Sequence, residues 1–188
     1  MTDEVHREEA EIVRRCQDGD LEAFESIYRR HGRSLFSLAY RMVGNLTDAE
    51  DLLQEIFLLA FDKLPTYQGR SSLRTWLHRL AVNRCLDYLR SRAARNRSLT
   101  ESFDDRGHAS SPSAGPGAPE ERLDLERAIR QLPRSYRAAF LLYDVEGFGH
   151  REVAEILGVA EGTSKSLVHK ARLKIREQIG ASAPGEKR

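Results

Sequence analysis

The stretch HREVAEILGV (150–159), followed one residue later by EGTSKSLVHKARLKI (161–175), decides the fold. With residues 163–179 on a helix turning about 100° per residue, Ser164, Val168, Ala171, Ile175 and Ile179 share one face. Lys165, His169, Arg172 and Arg176 occupy the opposite face, with Ser166 and Lys170 beside them. One side is suited to packing and the other presents cations and hydroxyls. Upstream, residues 150–157 turn Val153, Ala154 and Leu157 inward, and Gly158 ends that helix at a position suited to positive φ. Ala154 and Gly158 are small and four residues apart, which lets the two helices cross closely. Two helices joined by a tight glycine turn, the second one basic, predict a helix-turn-helix whose second helix enters the major groove. The helix macrodipole alone would favour Lys174 and Arg176 near the C-terminus, but it does not account for Lys165 in the first turn.

The charge pattern extends the reading to the rest of the 188 residues, whose net charge is only +1. Residues 1–66 carry 8 basic and 14 acidic residues, net −6, whereas residues 67–97 carry 8 arginines and one aspartate, net +7. Segregated charge of this kind predicts two different macromolecular partners, one of them nucleic acid. No apolar stretch marks a signal peptide or a membrane span. Cys16 and Cys85 lie far apart in helical patterns, so neither a disulfide nor a zinc site is expected, and the chain reads as cytoplasmic.

Nearly every periodic segment is helical and strand alternation is absent, so the expected class is all-α. Residues 95–119 lack apolar periodicity and hold half of the six prolines, the composition of a flexible linker. Two small helical domains follow, 1–94 and 120–180, with a tail at 181–188. In the first, helices are expected over 6–17, 21–43 (capped by Asp20, ended by Gly44-Asn45, with Gly32 as a bend), 47–64 and about 72–92. TDAE (47–50) reads as a capping box, and Ser71 or Ser72 caps the last helix. In the second domain the helices are 120–131, 133–146, 150–157 and 162–179.

The helix 47–64 is acidic, and Asp51 and Glu55 form a like-charge pair that mildly destabilises an isolated helix, which hints at a basic protein partner. On the next helix Leu73, Leu77, Leu80, Ala81 and Tyr88 make a core side. Trp76, Arg79, Asn83, Leu86 and Arg90 make a second stripe, with cations for phosphate, an amide for a base edge and a ring for stacking on single-stranded nucleic acid.

Three segments, DAEDLLQEIFLLAF (48–61), YQGRSSLRTWLHRLAVNRCLDYLR (67–90) and EGFGHREVAEILGVAEGTSKSLVHKARLKIRE (146–177), resemble bacterial extracytoplasmic-function (ECF) RNA polymerase sigma factors of the sigma-70 family, in the right order and with a linker between. The resemblance implies that residues 1–94 are sigma domain 2 and residues 120–180 sigma domain 4. Asp51, Gln54, Glu55 and Leu58 would then bind core RNA polymerase at the β′ clamp helices, with the β flap as a further partner surface. The loop Tyr67, Gln68, Gly69, Arg70, Ser71 and Ser72 with Trp76, Arg79 and Asn83 would take a flipped base and melted DNA of the −10 element. Thr163, Lys165, Ser166, His169, Lys170 and Arg172 would contact double-stranded −35 DNA. The family is often held inactive by an anti-sigma factor. Two positions depart from its habit: Ser164, where members often carry Val or Ile, and Leu167, where they often carry Arg.

The rival reading is a helix-turn-helix transcriptional regulator with a sensory N-terminal half. An enzyme is not expected, because no phosphate loop, metalloprotease motif or nucleophile with a base partner occurs. The six histidines are scattered, and neither cofactor nor metal is expected.

Overall fold

Helix ends organise the N-terminal half. α1 (Thr2–Gln17) gives way to α2 (Leu21–Val43) through a turn at Gly19, and Asp20 caps α2 by accepting from Glu22 N at 2.9 Å and Ala23 N at 3.1 Å. Gly44 closes α2 at φ 80°, the left-handed conformation that a glycine adopts without strain. The cap of α3 (Leu46–Lys63) corrects the capping box expected at Thr47: Asn45 accepts from Asp48 N at 3.0 Å. Asn45 follows the left-handed glycine in extended geometry, which an N-cap requires, and this leaves Thr47 inside the first turn. A 3₁₀ turn, Leu64–Thr66, then leads to a loop and to α4 (Leu73–Thr100), where Ser72 Oγ accepts from Thr75 N at 3.1 Å.

The computed structural model describes residues 2–100 and 120–182. α4 therefore continues past both the expected helix end near 92 and the linker start at 95. Its extension is rich in arginine and alanine and free of Gly and Pro, so each residue adds to an existing helix without a new nucleation cost. Residues 101–119, the rest of the expected linker, and 183–188 of the expected tail lie outside the described residues. The C-terminal half comprises α5 (Glu120–Gln131), α6 (Arg134–Phe140), α7 (His150–Leu157) and α8 (Glu161–Ser182). α6 opens into a single π turn, Leu141–Val145, in which Glu146 N donates to Leu141 O five residues back. Every regular element among the described residues is helical, as the absence of strand alternation predicts.

α2, α3 and α4 pack around Leu35, Leu38, Met42, Leu52, Ile56, Leu73 and Leu77, all buried. α4 is enclosed on more sides than its pattern suggests. His78, Val82 and Cys85 are buried as well, while Tyr88 is only half-buried. α7 of the second half supplies the extra cover for α4. Phe148 is buried edge-on against the His78 ring at 4.8 Å, with the Arg74 guanidinium 4.0 Å from its centroid. Ser34 Oγ donates to Glu146 Oε2 at 2.5 Å and lies 3.2 Å from His78 Nε2. Arg137 Nη1 donates to Met42 O at 2.6 Å. Burial raises the Glu146 carboxyl, but hydrogen bonds from His78 and Ser34 and the nearby charges outweigh it and hold the group below its ordinary value of 4.5. Burial also pushes the Cys85 thiol to about 12, so it behaves as core, and both cysteines are free.

Candidate nucleic-acid and polymerase interfaces

α8 carries the expected division of faces with one correction. Ser164, Val168, Ala171 and Ile175 are buried, but Ile179 is 38% exposed, because nearly all of residues 176–180 lie beyond the packed part of the helix. On α7 the inward set is Val153, Ala154 and Ile156, with Leu157 only half-buried. Thr163, Lys165, Ser166, His169 and Lys170 are all exposed. Lys165 Nζ lies 2.8 Å from Glu161 Oε1, a surface pair that a phosphate or base edge can displace at little cost. Arg172, the remaining predicted DNA contact, is engaged within the fold. Its Nε donates to Asp144 at 3.1 Å and its guanidinium lies 5.4 Å from the Tyr143 ring centroid. The hydrogen bond to Asp144 raises its pKa further.

The buried Ser164 hydroxyl lies 3.1 Å from His150 Nδ1, and the His150 ring stacks on Tyr143 at 4.1 Å. A polar residue in this packed position is therefore partnered, which meets the condition for burying a hydroxyl without a net penalty. Tyr143, Asp144 and His150 brace α8. The periodicity of α8 holds no signal for them.

In the first half, the loop Tyr67–Ser72 forms one wall of a cleft of about 490 Å³. The other wall is α1, through Glu9, Ala10, Val13, Arg14 and Gln17, none of which sequence reasoning had singled out. Gln17 Nε2 donates to Leu64 O at 3.1 Å and Tyr67 O at 3.0 Å. The Tyr67 hydroxyl donates to Ser71 O at 2.5 Å, and burial, followed by the nearby Glu9 and Glu155, pushes its pKa to about 12. Leu73 N donates to Glu9 Oε1 at 2.6 Å. Gly69 sits at φ +67°.

Trp76 is half-buried with its ring tilted against Tyr67 at 5.1 Å, and Arg79 and Asn83 are exposed. The structure does not bring Arg79 or Asn83 into the lining of the cleft. Leu86 and Arg90, at the far end of the same stripe, line a groove with Leu157, Val159 and Leu167 of the second half.

On α3, Asp51, Gln54, Glu55 and Leu58 are exposed together, and Leu58 at 67% and Phe61 at 46% place apolar surface beside the acids. The expected repulsion between Asp51 and Glu55 is offset inside the fold, because α4 lies alongside and Arg84 pairs with Glu55. Asp48 pairs with Arg92 at 3.0 Å. Among the described residues no cluster of His, Cys, Asp or Glu forms a metal site, and no helix is long and apolar enough to cross a membrane.

Comparison with known proteins adds the family. Residues 27–95 match Sigma-70 region 2 and residues 122–175 match Sigma-70, region 4. The chain is 37% identical over 160 residues to the ECF RNA polymerase sigma factor SigE of Mycolicibacterium smegmatis, an alignment covering 84% of this chain and 62% of that protein. It is 34% identical over 174 residues to SigM of Mycobacterium tuberculosis, covering 93% of this chain and 86% of SigM. It is 31% identical over 188 residues to the ECF sigma-E factor of Escherichia coli K12, covering 95% of each. Two solved structures share the fold. The sigma factor RpoE in complex with the anti-sigma factor NepR from Bartonella quintana has a TM-score of 0.72 at 24% identity, covering 85% of this chain and 98% of that one. CnrH in complex with the cytosolic domain of CnrY has a TM-score of 0.71 at 22% identity, covering 93% and 99%.

Proposed function

The chain belongs to the ECF RNA polymerase sigma factors, subunits that direct promoter recognition and transcription initiation, and on that premise we propose which surfaces perform each step. The exposed acidic and apolar face of α3, with Asp51, Gln54, Glu55 and Leu58, docks on the β′ clamp helices of core RNA polymerase, and the second domain meets the β flap. The loop 67–72 and the stripe of Trp76, Arg79 and Asn83 hold melted −10 DNA. Thr163, Lys165, Ser166, His169 and Lys170 read the −35 element, with Arg172 serving first as a brace to Asp144. The protein acts in the cytoplasm and performs no catalysis of its own, and the complex of RpoE with the anti-sigma factor NepR supports control of this chain by an anti-sigma factor as well.

The observation that carries this reading is the separation of three exposed faces on one helical frame. An acidic-apolar face lies on α3, exposed Arg79, Asn83 and Arg90 lie on α4 beside half-buried Trp76, and a cationic face lies on α8. A ligand-sensing regulator would need none of the first two.

The test is transcription by core polymerase on a random promoter library, with and without the chain. Wild-type chain should enrich a two-element promoter. Asp51→Arg should abolish co-purification with core polymerase while circular dichroism shows helix content retained, because the residue is exposed. Normal transcription and normal co-purification by Asp51→Arg would remove α3 from the interface.

A further inference from the structure

Where the two halves meet, three guanidinium groups from three different helices line one small pocket. Gly44 at the end of α2, Asn45 at the cap of α3 and Arg92 on α4 come from the first half. Arg130 on α5 and Arg137 on α6 come from the second. The pocket measures about 280 Å³. That is the small end of the range for ligand sites, which begins at about 300 Å³.

The charges of these walls do not balance. Arg92 Nη1 donates to Asp48 at 3.0 Å, so its charge is met. Among the described residues, every hydrogen bond that Arg130 and Arg137 make goes to a neutral oxygen. Arg130 Nη2 donates to the Tyr40 hydroxyl at 3.3 Å, and its Nη1 lies over Gly44, 3.9 Å from where a β-carbon would stand. Arg137 Nη1 donates to Met42 O at 2.6 Å, and its Nη2 donates to Leu132 O at 3.2 Å and to Arg130 O. The remaining donor of Arg137, Nε, is buried with no hydrogen-bond partner among the described residues. Burial, and after it the charges of Arg130 and Arg134, lower the Arg137 pKa. Like charges held together in a half-buried place cost free energy, and so does a buried donor left unpaired. One anion with several acceptor oxygens offsets both costs. Asn45 adds the positive end of the α3 macrodipole at the same place. Guanidinium groups supplied by three helices suit a tetrahedral oxyanion, whose oxygens point to different sides, and arginine pairs with phosphate through forked hydrogen bonds.

We propose that this pocket binds a small free phosphate anion and that the bound anion ties the two halves together. Arg92 holds it from the first half and Arg130 from the second, and Arg137, anchored on two helix ends, completes the positive wall. Because the walls come from both halves, the anion binds only the docked chain and by linkage stabilises docking. A phosphate of the DNA backbone offers the same chemistry, but a pocket of this size between packed helices admits a small anion and not a duplex.

The test uses the full chain and inorganic phosphate, with chloride at equal ionic strength as the control. Phosphorus NMR and titration calorimetry should show saturable binding, and phosphate should raise the melting midpoint where chloride does not. Arg130→Gln and Arg92→Gln, one from each half, should each weaken phosphate about tenfold, the worth of one charged hydrogen bond. Arg130→Lys keeps the charge and should retain most of the affinity, and circular dichroism checks that all three variants fold. Promoter-duplex affinity should be unchanged in Arg130→Gln. Equal phosphate effects on wild type and Arg130→Gln overturn the site. Weakening by Arg130→Gln alone, with Arg92→Gln at wild-type affinity, overturns the bridge between the halves. Loss of duplex affinity in Arg130→Gln without saturable phosphate binding to wild type assigns the arginines to the DNA backbone and overturns the free anion.

Discussion

The cationic face of α8 and the cleft beside the 67–72 loop, both proposed to meet promoter DNA, are built in opposite ways. On α8 the cationic groups and the packing groups lie on opposite faces of one helix, so a single continuous segment defines the site. The cleft is assembled from a loop and from a helix some fifty residues upstream, joined by the amide of Gln17 to the backbone of Tyr67. The first kind of site fails when its own charges are removed. The second kind should fail when a residue that never touches DNA is changed.

The largest effect should follow Lys165→Ala combined with Lys170→Ala. Two cations are lost from an exposed face, and affinity for −35 duplex should fall about a hundredfold, with the salt-dependence slope reduced by about two. Fluorescence anisotropy across a salt series measures both. Unchanged affinity would break the comparison at its simpler end.

A smaller effect should follow Tyr67→Phe. It removes the hydroxyl that holds Ser71 O and leaves the ring against Trp76 in place. Loss of one hydrogen bond, about 1 kcal/mol, should slow promoter opening about fivefold without altering −35 binding. Permanganate footprinting reports opening and anisotropy reports binding. A parallel loss in both assays would mean that the loop supports the whole fold and not the cleft.

The contact between the two domains sharpens the comparison through pH. The Glu146 carboxyl is held below 4.5 against Ser34 and His78, so the docked arrangement favours the ionised form. That stabilisation is present above the ordinary carboxylate value and disappears as pH falls through the lowered one. Small-angle scattering should show the chain expanding on acidification below about pH 4.5. Glu146→Gln should expand it already at neutral pH. Identical scattering for both chains at every pH would show that the Glu146 carboxylate adds nothing to the contact, which Phe148, Arg74 and Arg137 would then hold without it.

The smallest effect should be Ser164→Val. The hydroxyl and its bond to His150 are lost, apolar surface is gained, and unfolding should shift by no more than about 1 kcal/mol. Urea denaturation measures it. A loss of several kcal/mol would show that the helix-turn-helix depends on a polar bond in its core, which would make α8 as reliant on remote partners as the cleft.

Much of this organisation is legible in the amino-acid sequence. Asp20 and Gly44 mark the ends of α2, Gly158 marks the end of α7, and the stripe of Val168, Ala171 and Ile175 faces inward as its spacing requires. These features are local. A cap is a contact over two or three residues, and a helical stripe records only which way side chains point about their own axis. What the amino-acid sequence determined by itself was therefore the set of helices, their order, the turn glycine and the basic face of α8.

The tertiary structure decided the rest. It buried His78 and Val82 on a side of α4 that its own pattern leaves open, tied Arg172 to Asp144, found His150 for Ser164, and set α1 across a cleft from the 67–72 loop. Each of these is a pairing between segments 14 to 50 residues apart or more, set by which helices come to lie side by side. Periodicity is blind to such pairings, because the free energy that selects them comes from the packed interface and not from the conformation of either segment alone.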